Sequence, residues 1–154
     1  MNRFLGRLFT GTTTHLIQIA ALLDFSDEGF SRMGTAEPEE CEAIFLREIK
    51  GRSGGPLDWR GSAADIYKIL NECTTDRERR YLPLPEAVQG DEPAEIVACL
   101  DAHLEQAPRA LRAMDSFGDF IIVLLIPRDR LSAFEHAARY WLASSTTGSR
   151  PPKR

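Results

Sequence analysis

The chain has few cysteines, no long apolar run and none of the short motifs that mark the common catalytic centres. Its 154 residues include three cysteines, Cys41, Cys73 and Cys99, too few and too far apart for a disulfide framework. Each lies among apolar residues at helical spacing, so they read as small buried hydrophobes of a reducing compartment. There is no CxxC, and His15, His103 and His136 stand in no ligand spacing to the thiols, so no metal site is expected. No stretch approaches the ~20 apolar residues of a membrane span. Arg3 and Arg7 before the apolar run Leu16 to Leu23 loosely resemble a secretory leader. That run is short, holds Gln18 and leads into acidic residues without a small-residue cleavage site. A cytoplasmic protein without a membrane partner is the expectation.

HExxH, GxxxxGK[ST], GxGxxG and GxSxG are also missing. The glycines of Ser53-Gly54-Gly55-Pro56 and Gly61-Ser62 therefore lack the spacing that wraps a backbone around a phosphate. No serine or cysteine nucleophile can be placed beside a base. No catalytic residue and no cofactor follow from the sequence.

What is present is the composition of a globular domain, 43% hydrophobic and 27% charged. The net charge is −4, and all 23 acidic residues fall between Asp24 and Glu135. The last eleven residues carry Arg150, Lys153 and Arg154 without an acid, so the body is more acidic than the total suggests. Duplex binding needs clustered Lys and Arg, which argues against a nucleic-acid partner. An acidic body suits a basic protein partner.

Residues 12–143 read as a single domain, preceded by a basic apolar arm (1–11) and followed by a flexible basic tail (144–154). Leu16, Ile19, Ala20 and Leu23 keep helical spacing, and Asp24 to Gly34, polar with two glycines, reads as a loop. Pro38-Glu39-Glu40 opens a helix with Cys41, Ile44, Phe45 and Ile49 inward. Gly51 to Pro56 ends it, and Leu57 to Arg60 is short and extended. Ser62 caps a helix carrying Ile66, Ile69, Leu70 and Cys73. Thr74 to Gly90 is the least regular stretch, and its prolines exclude a central strand. Pro93 starts a helix with Ile96, Val97, Leu100 and Leu104. Arg109 to Met114, a turn at Asp115 to Gly118, and the seven apolar residues Phe120 to Ile126 form a hairpin whose second strand is buried on both faces. Asp129 caps a last helix with Leu131, Phe134, Ala138, Trp141 and Leu142 inward. The predicted fold class is α+β: one small antiparallel sheet with about five helices packed on it, a single-layer α/β sandwich.

Two constellations carry candidate chemistry. Asp115 and Asp119 flank the hairpin turn, with Asp58 as a third carboxylate, an acidic site for a cation or shared proton. Asp is also favoured in turns for backbone hydrogen bonding. Trp59 and Arg60, with the mixed charges Asp76, Arg77 and Glu78 and the nearby Tyr81, form the candidate partner-binding set, because Trp, Tyr and Arg dominate binding hot spots. A core Trp covered by an Arg is the plainer reading of the first pair.

Leu57-Asp58-Trp59-Arg60 before a helix, the helix Ile96 to Leu104, and Asp115-Ser116-Phe117-Gly118-Asp119 before an apolar strand together resemble the bacterial "domain of unknown function" family numbered 6630. The resemblance spans about Leu16 to Leu142 and implies this fold and a bacterial origin. Its members carry a smaller residue where Phe117 stands, and Tyr81 to Pro85 has no counterpart in their pattern. The functional expectation is a small bacterial binding protein of the immunity kind, neutralising a toxin by protein contact. The alternatives are a metal-dependent enzyme using the Asp cluster, or a self-associating module such as a homodimer.

Overall fold

A computed structural model describes residues 14–115, 120–139 and 141–142. The residue patterns above account for most of its elements. Helix α1 covers residues 14–20, followed by α2 (Asp27–Thr35), α3 (Pro38–Ile49), strand β1 (Gly54–Asp58), α4 (Ala63–Cys73) and the single turn α5 (Asp76–Arg79). A 3-10 turn (Pro85–Ala87), α6 (Pro93–His103), β2 (Arg109–Asp115), β3 (Phe120–Pro127), a second 3-10 turn (Arg128–Arg130) and α7 (Leu131–Ala137) complete the order. The fold is α+β, as expected, with seven helices and one antiparallel sheet among the described residues.

The sheet order is β1-β3-β2, which puts the apolar strand at the centre. Side chains alternate across a strand, and here the alternation sorts β3 between two cores. Ile122, Leu124 and Ile126 face a cluster containing Leu16, Ile19, Phe45, Ile49 and Phe134 from α1, α3 and α7. Ile121, Val123 and Leu125 face a second cluster containing Ile66, Leu70, Val97, Leu100 and Leu104, from α4, α6 and the residue beyond it. Helices thus cover both faces, which is why all six residues are buried.

Two segments depart from expectation. Residues 27–35 lie in the stretch read as a loop, yet they form α2. Ser26 caps it by accepting from the Gly29 amide, Asp27 and Glu28 complement the positive helix end, and Met33 is fully buried. Gly29 leaves room for the Glu48 carboxylate: a Cβ there would lie 2.4 Å from the Glu48 carboxyl carbon and would displace the group that accepts from the Ser26 amide at 2.9 Å. The extended segment expected at Leu57 to Arg60 instead begins at Gly54 and ends at Asp58, so Gly54-Gly55-Pro56 belong to β1. Gly54 lies against β3 so closely that a Cβ would sit 1.8 Å from the Val123 carbonyl oxygen, and Pro56 is tolerated because β1 is an edge strand. The last helix also begins later than expected, with Arg130 and not Asp129 at its N-cap, and it ends at Ala137. Trp141 and Leu142 then return beside β2: Leu142 bridges Met114, and the Asp115 amide donates to the Trp141 carbonyl.

The outer edge of β2 is closed as well. The Leu111 amide donates to Asp101 Oδ1 at 2.9 Å, so a side chain from α6 replaces a missing strand. Arg112 then joins Asp101 of α6 at 2.7 Å to Glu135 of α7 at 3.1 Å. One guanidinium therefore ties together helices that lie on opposite faces of the sheet.

Candidate functional site

The predicted acidic site does not assemble among the described residues. Asp58 pairs in register with Phe120, and Asp115 pairs with Ile121 on the other side of β3. Adjacent residues of one strand point to opposite faces, so the two carboxylates leave opposite sides of the sheet from its two edge strands. Asp58 accepts from the Arg60 amide at 2.8 Å and its carbonyl from the Gly61 amide at 2.7 Å, which is turn chemistry. Asp119 lies outside the described residues. No group of three or more His, Cys, Asp or Glu among the described residues is placed to hold a metal ion. His103 and His136 are exposed on separate helices, and His15 stacks on Trp141 with ring centroids 6.0 Å apart. Burial pushes the Cys73 thiol up to about 11, only partly offset by Arg109, which makes it a poor nucleophile.

The candidate partner-binding residues are divided between the two ends of the sheet. Trp59 and Arg60 follow β1 at the end where Asp58 faces Phe120, while Glu78 of α5 meets Arg109, which faces Pro127 at the other end. Seven residue steps of β3, about 24 Å, separate those positions. Trp59 is half-buried against the α4/α6 core and Arg60 is exposed.

The structure sorts the mixed charges by role. Thr75 caps α5 through a reciprocal box with Glu78: the Thr75 amide donates to Glu78 Oε1 at 3.0 Å and the Glu78 amide to Thr75 Oγ1 at 3.2 Å. That box turns the Glu78 side chain inward, where it is 2% exposed, so the expectation that Glu78 meets a partner is corrected. Arg109 receives it in a two-pronged ion pair and also donates to the Cys73 and Arg52 carbonyls, each at 2.7 Å. Burial raises the Glu78 carboxyl, but hydrogen bonds from Arg109 and Thr75 outweigh it and hold the group below the ordinary carboxylate range. Arg79 folds back on the Thr74 carbonyl at 2.7 Å and on Asp76 at 3.3 Å. Arg77 and Arg80 remain exposed.

The segment that follows is irregular but fastened. Tyr81, Leu82 and Val88 pack partly buried against the α4/α6 core, and the Tyr67 hydroxyl donates to the Pro83 carbonyl. Leu84 stands out between Pro83 and Pro85 at 72% exposure, on an extended backbone (φ −67°, ψ 145°). The candidate contact residues read from the sequence, Asp76, Arg77, Glu78 and Tyr81 here and Trp59 and Arg60 elsewhere, did not include Leu84, whose signal was an aliphatic side chain between two prolines. An exposed apolar side chain on a fastened segment offers non-covalent contact; it presents no nucleophile, base or ligand set. No helix among the described residues is long and apolar enough to cross a membrane. No family model, no curated protein and no solved structure matches the chain.

Proposed function

We propose that this protein is a binding module that acts by protein–protein contact, of the immunity kind that holds a toxin inactive, and that residues 76–88 carry the contact. The observation that supports this reading most is Leu84, 72% exposed on a segment fixed at Glu78 and at Pro83. An apolar anchor held rigid before binding loses little entropy on association. Exposed Arg77 and Arg80 and the half-buried Tyr81, of the residue types that dominate binding hot spots, belong to the same segment.

Local charge refines the partner's chemistry. The net charge of −4 suggests a basic partner, whereas the contact segment presents charge of both signs, Arg77 and Arg80 with Asp76 and Glu86. The complementary patch is then an apolar hollow with mixed charge at its rim, and the acidic body steers the encounter.

The test is titration of the purified protein with the product of the adjacent gene, followed by calorimetry. The expected result is a 1:1 complex with micromolar or tighter affinity that Leu84→Glu weakens at least tenfold. Absence of heat and of a co-eluting complex at micromolar concentrations, or a complex indifferent to Leu84→Glu, rejects the proposal.

A further inference from the structure

Between Thr75 and Gly90 the only buried residue is a charged one, Glu78, at 2% exposure. Among the described residues this segment makes no backbone-to-backbone hydrogen bond with the rest of the fold. Its amides bond to its own carbonyls: Arg79 to Thr75 at 2.9 Å, Tyr81 to Glu78 and Leu82 to Arg79 at 3.1 Å each. Ala87 bonds to Leu84 at 2.9 Å and Val88 to Pro85 at 3.2 Å. Side chains alone hold the segment down. Arg109 grips the Glu78 carboxylate with two hydrogen bonds of 2.7 Å, and the Tyr67 hydroxyl donates to the Pro83 carbonyl. Arg79 bonds only to Asp76 within the segment and to Thr74 and the Asn71 carbonyl just before it. Tyr81, Leu82 and Val88 pack, partly buried, against the α4/α6 core. Arg109 also donates to the carbonyl of Cys73 at the end of α4, whereas Tyr67 lies six positions back along that helix, about 9 Å away. The segment therefore doubles back along α4 and is fastened at both places.

The chain between the two fastenings couples them. The Glu78 carboxylate receives Arg109 and also closes the Thr75 capping box, so losing Arg109 loosens the cap of a single-turn helix. One turn does not stand by itself, because nucleating a helix costs more than its first hydrogen bond contributes. The Tyr81 and Leu82 amides bond to carbonyls of that turn, and Pro83 follows directly. We infer that residues 75–90 form a strap that opens as one unit while the sheet and both cores stay folded, with the Glu78–Arg109 pair as its latch. Opening breaks no strand ladder and uncovers the part of the α4/α6 core beneath Tyr81, Leu82 and Val88. Sub-global openings draw on segments of this kind, with few buried apolar contacts and backbone facing solvent. The strap does not depend on the proposed function. If residues 76–88 carry the contact proposed above, opening takes that surface apart, and Glu78 positions a surface it is too buried to touch.

Native-state hydrogen exchange of the full chain, read amide by amide by NMR at neutral pH and low urea, tests this. The amides of Arg79, Tyr81, Leu82, Ala87 and Val88 are expected to share one opening equilibrium and one urea slope. They should open roughly 100-fold more often than the amides of β3, which wait for global unfolding. Glu78→Gln weakens the latch, and Tyr67→Phe removes the second fastening. Each is expected to speed all five amides by a common factor, roughly fivefold to tenfold. Either variant decides the matter alone, because each is read at the end it does not touch: Glu78→Gln at Ala87 and Val88, Tyr67→Phe at Arg79. A circular dichroism melt of each variant confirms that it is folded. Exchange of the five amides at the β3 rate overturns the inference, as do different urea slopes at the two ends. So does a folded variant that speeds only the end it touches. If the strap opens as one unit and the adjacent gene's product does not bind, the proposed function falls and the strap stands. If that product binds through Leu84 while the two ends open separately, the strap falls and the proposed function stands.

Discussion

Arg109 holds both carboxylate oxygens of Glu78, at 2.7 Å each, across 31 positions of sequence. It is the first residue of β2, and Glu78 lies in the one-turn helix α5, so this pair anchors the start of the irregular segment to the sheet. Two of the three remaining guanidinium protons are taken by the Cys73 and Arg52 carbonyls. Removing either partner leaves the other buried and uncompensated.

Arg109→Met is therefore expected to lower unfolding free energy by about 3–5 kcal/mol, the usual cost of breaking a buried pair from one side. Glu78→Gln, which keeps a hydrogen-bonding side chain, is expected to cost less. Urea denaturation of both variants and of the double variant measures this. The double variant should lose less than the sum of the two, because the partners share one interaction.

The same carboxyl gives the protein an acid limb of instability. Its folded value lies below the unfolded one, so its contribution is complete above about pH 4.5 and disappears as pH falls through the lower folded value. The urea midpoint of the wild type should decline across that acid range. In Glu78→Gln the decline should be shallower, since the group that takes up the proton is gone. Parallel acid curves for the two proteins would contradict the assignment.

Gly54→Ala is expected to detach β1. The new methyl would overlap the Val123 carbonyl, which is backbone of the central strand and cannot move aside. A loss above about 2 kcal/mol is expected, comparable to overpacking a core. Gly51→Ala is the control: it too has positive φ (75°), but nothing lies within 4 Å of the added methyl. Its cost should be about 1 kcal/mol, the backbone term alone.

Asp101→Ala removes one acceptor for the Leu111 amide and one for Arg112. A loss of about 1–3 kcal/mol is expected from the unsatisfied groups. Native-state hydrogen exchange gives the sharper readout. The Leu111 amide should exchange faster than its neighbours in the variant, while amides of β3 keep their protection relative to global stability.

Much of this architecture is legible in the chain, for local reasons. Phe120 to Ile126 announces a strand covered on both sides because no alternation interrupts it, and the helices that start at Pro38, Ala63 and Pro93 carry their start signals with them, a first-turn proline or the Ser62 cap. What escapes reading depends on distant neighbours. Gly29 argues against a helix until Glu48 is seen to fill the space beside it. Gly54 and Pro56 argue against a strand until the close approach of Val123 and the edge position are known. Glu78 looks like one charge among five, because the residue that draws it inward lies in another element. The candidate site follows the same rule. Asp58 and Asp115 look like partners in sequence, yet they sit on two strands that flank a third, and the pleat sends them apart. The charges at Arg77 and Arg80 were legible; that Leu84 of the same segment is the most exposed large apolar side chain of the described residues was not.

The two cores meet across the sheet, and its central strand β3 has three side chains dissolved in each. Parity along that strand is thus the molecule's sorting rule. Inserting or deleting one residue within 121–126 would exchange the contents of both cores beyond that point, delivering to each the side chains shaped for the other. Neither half can be re-registered alone, so the strand makes the two helical layers stand or melt together.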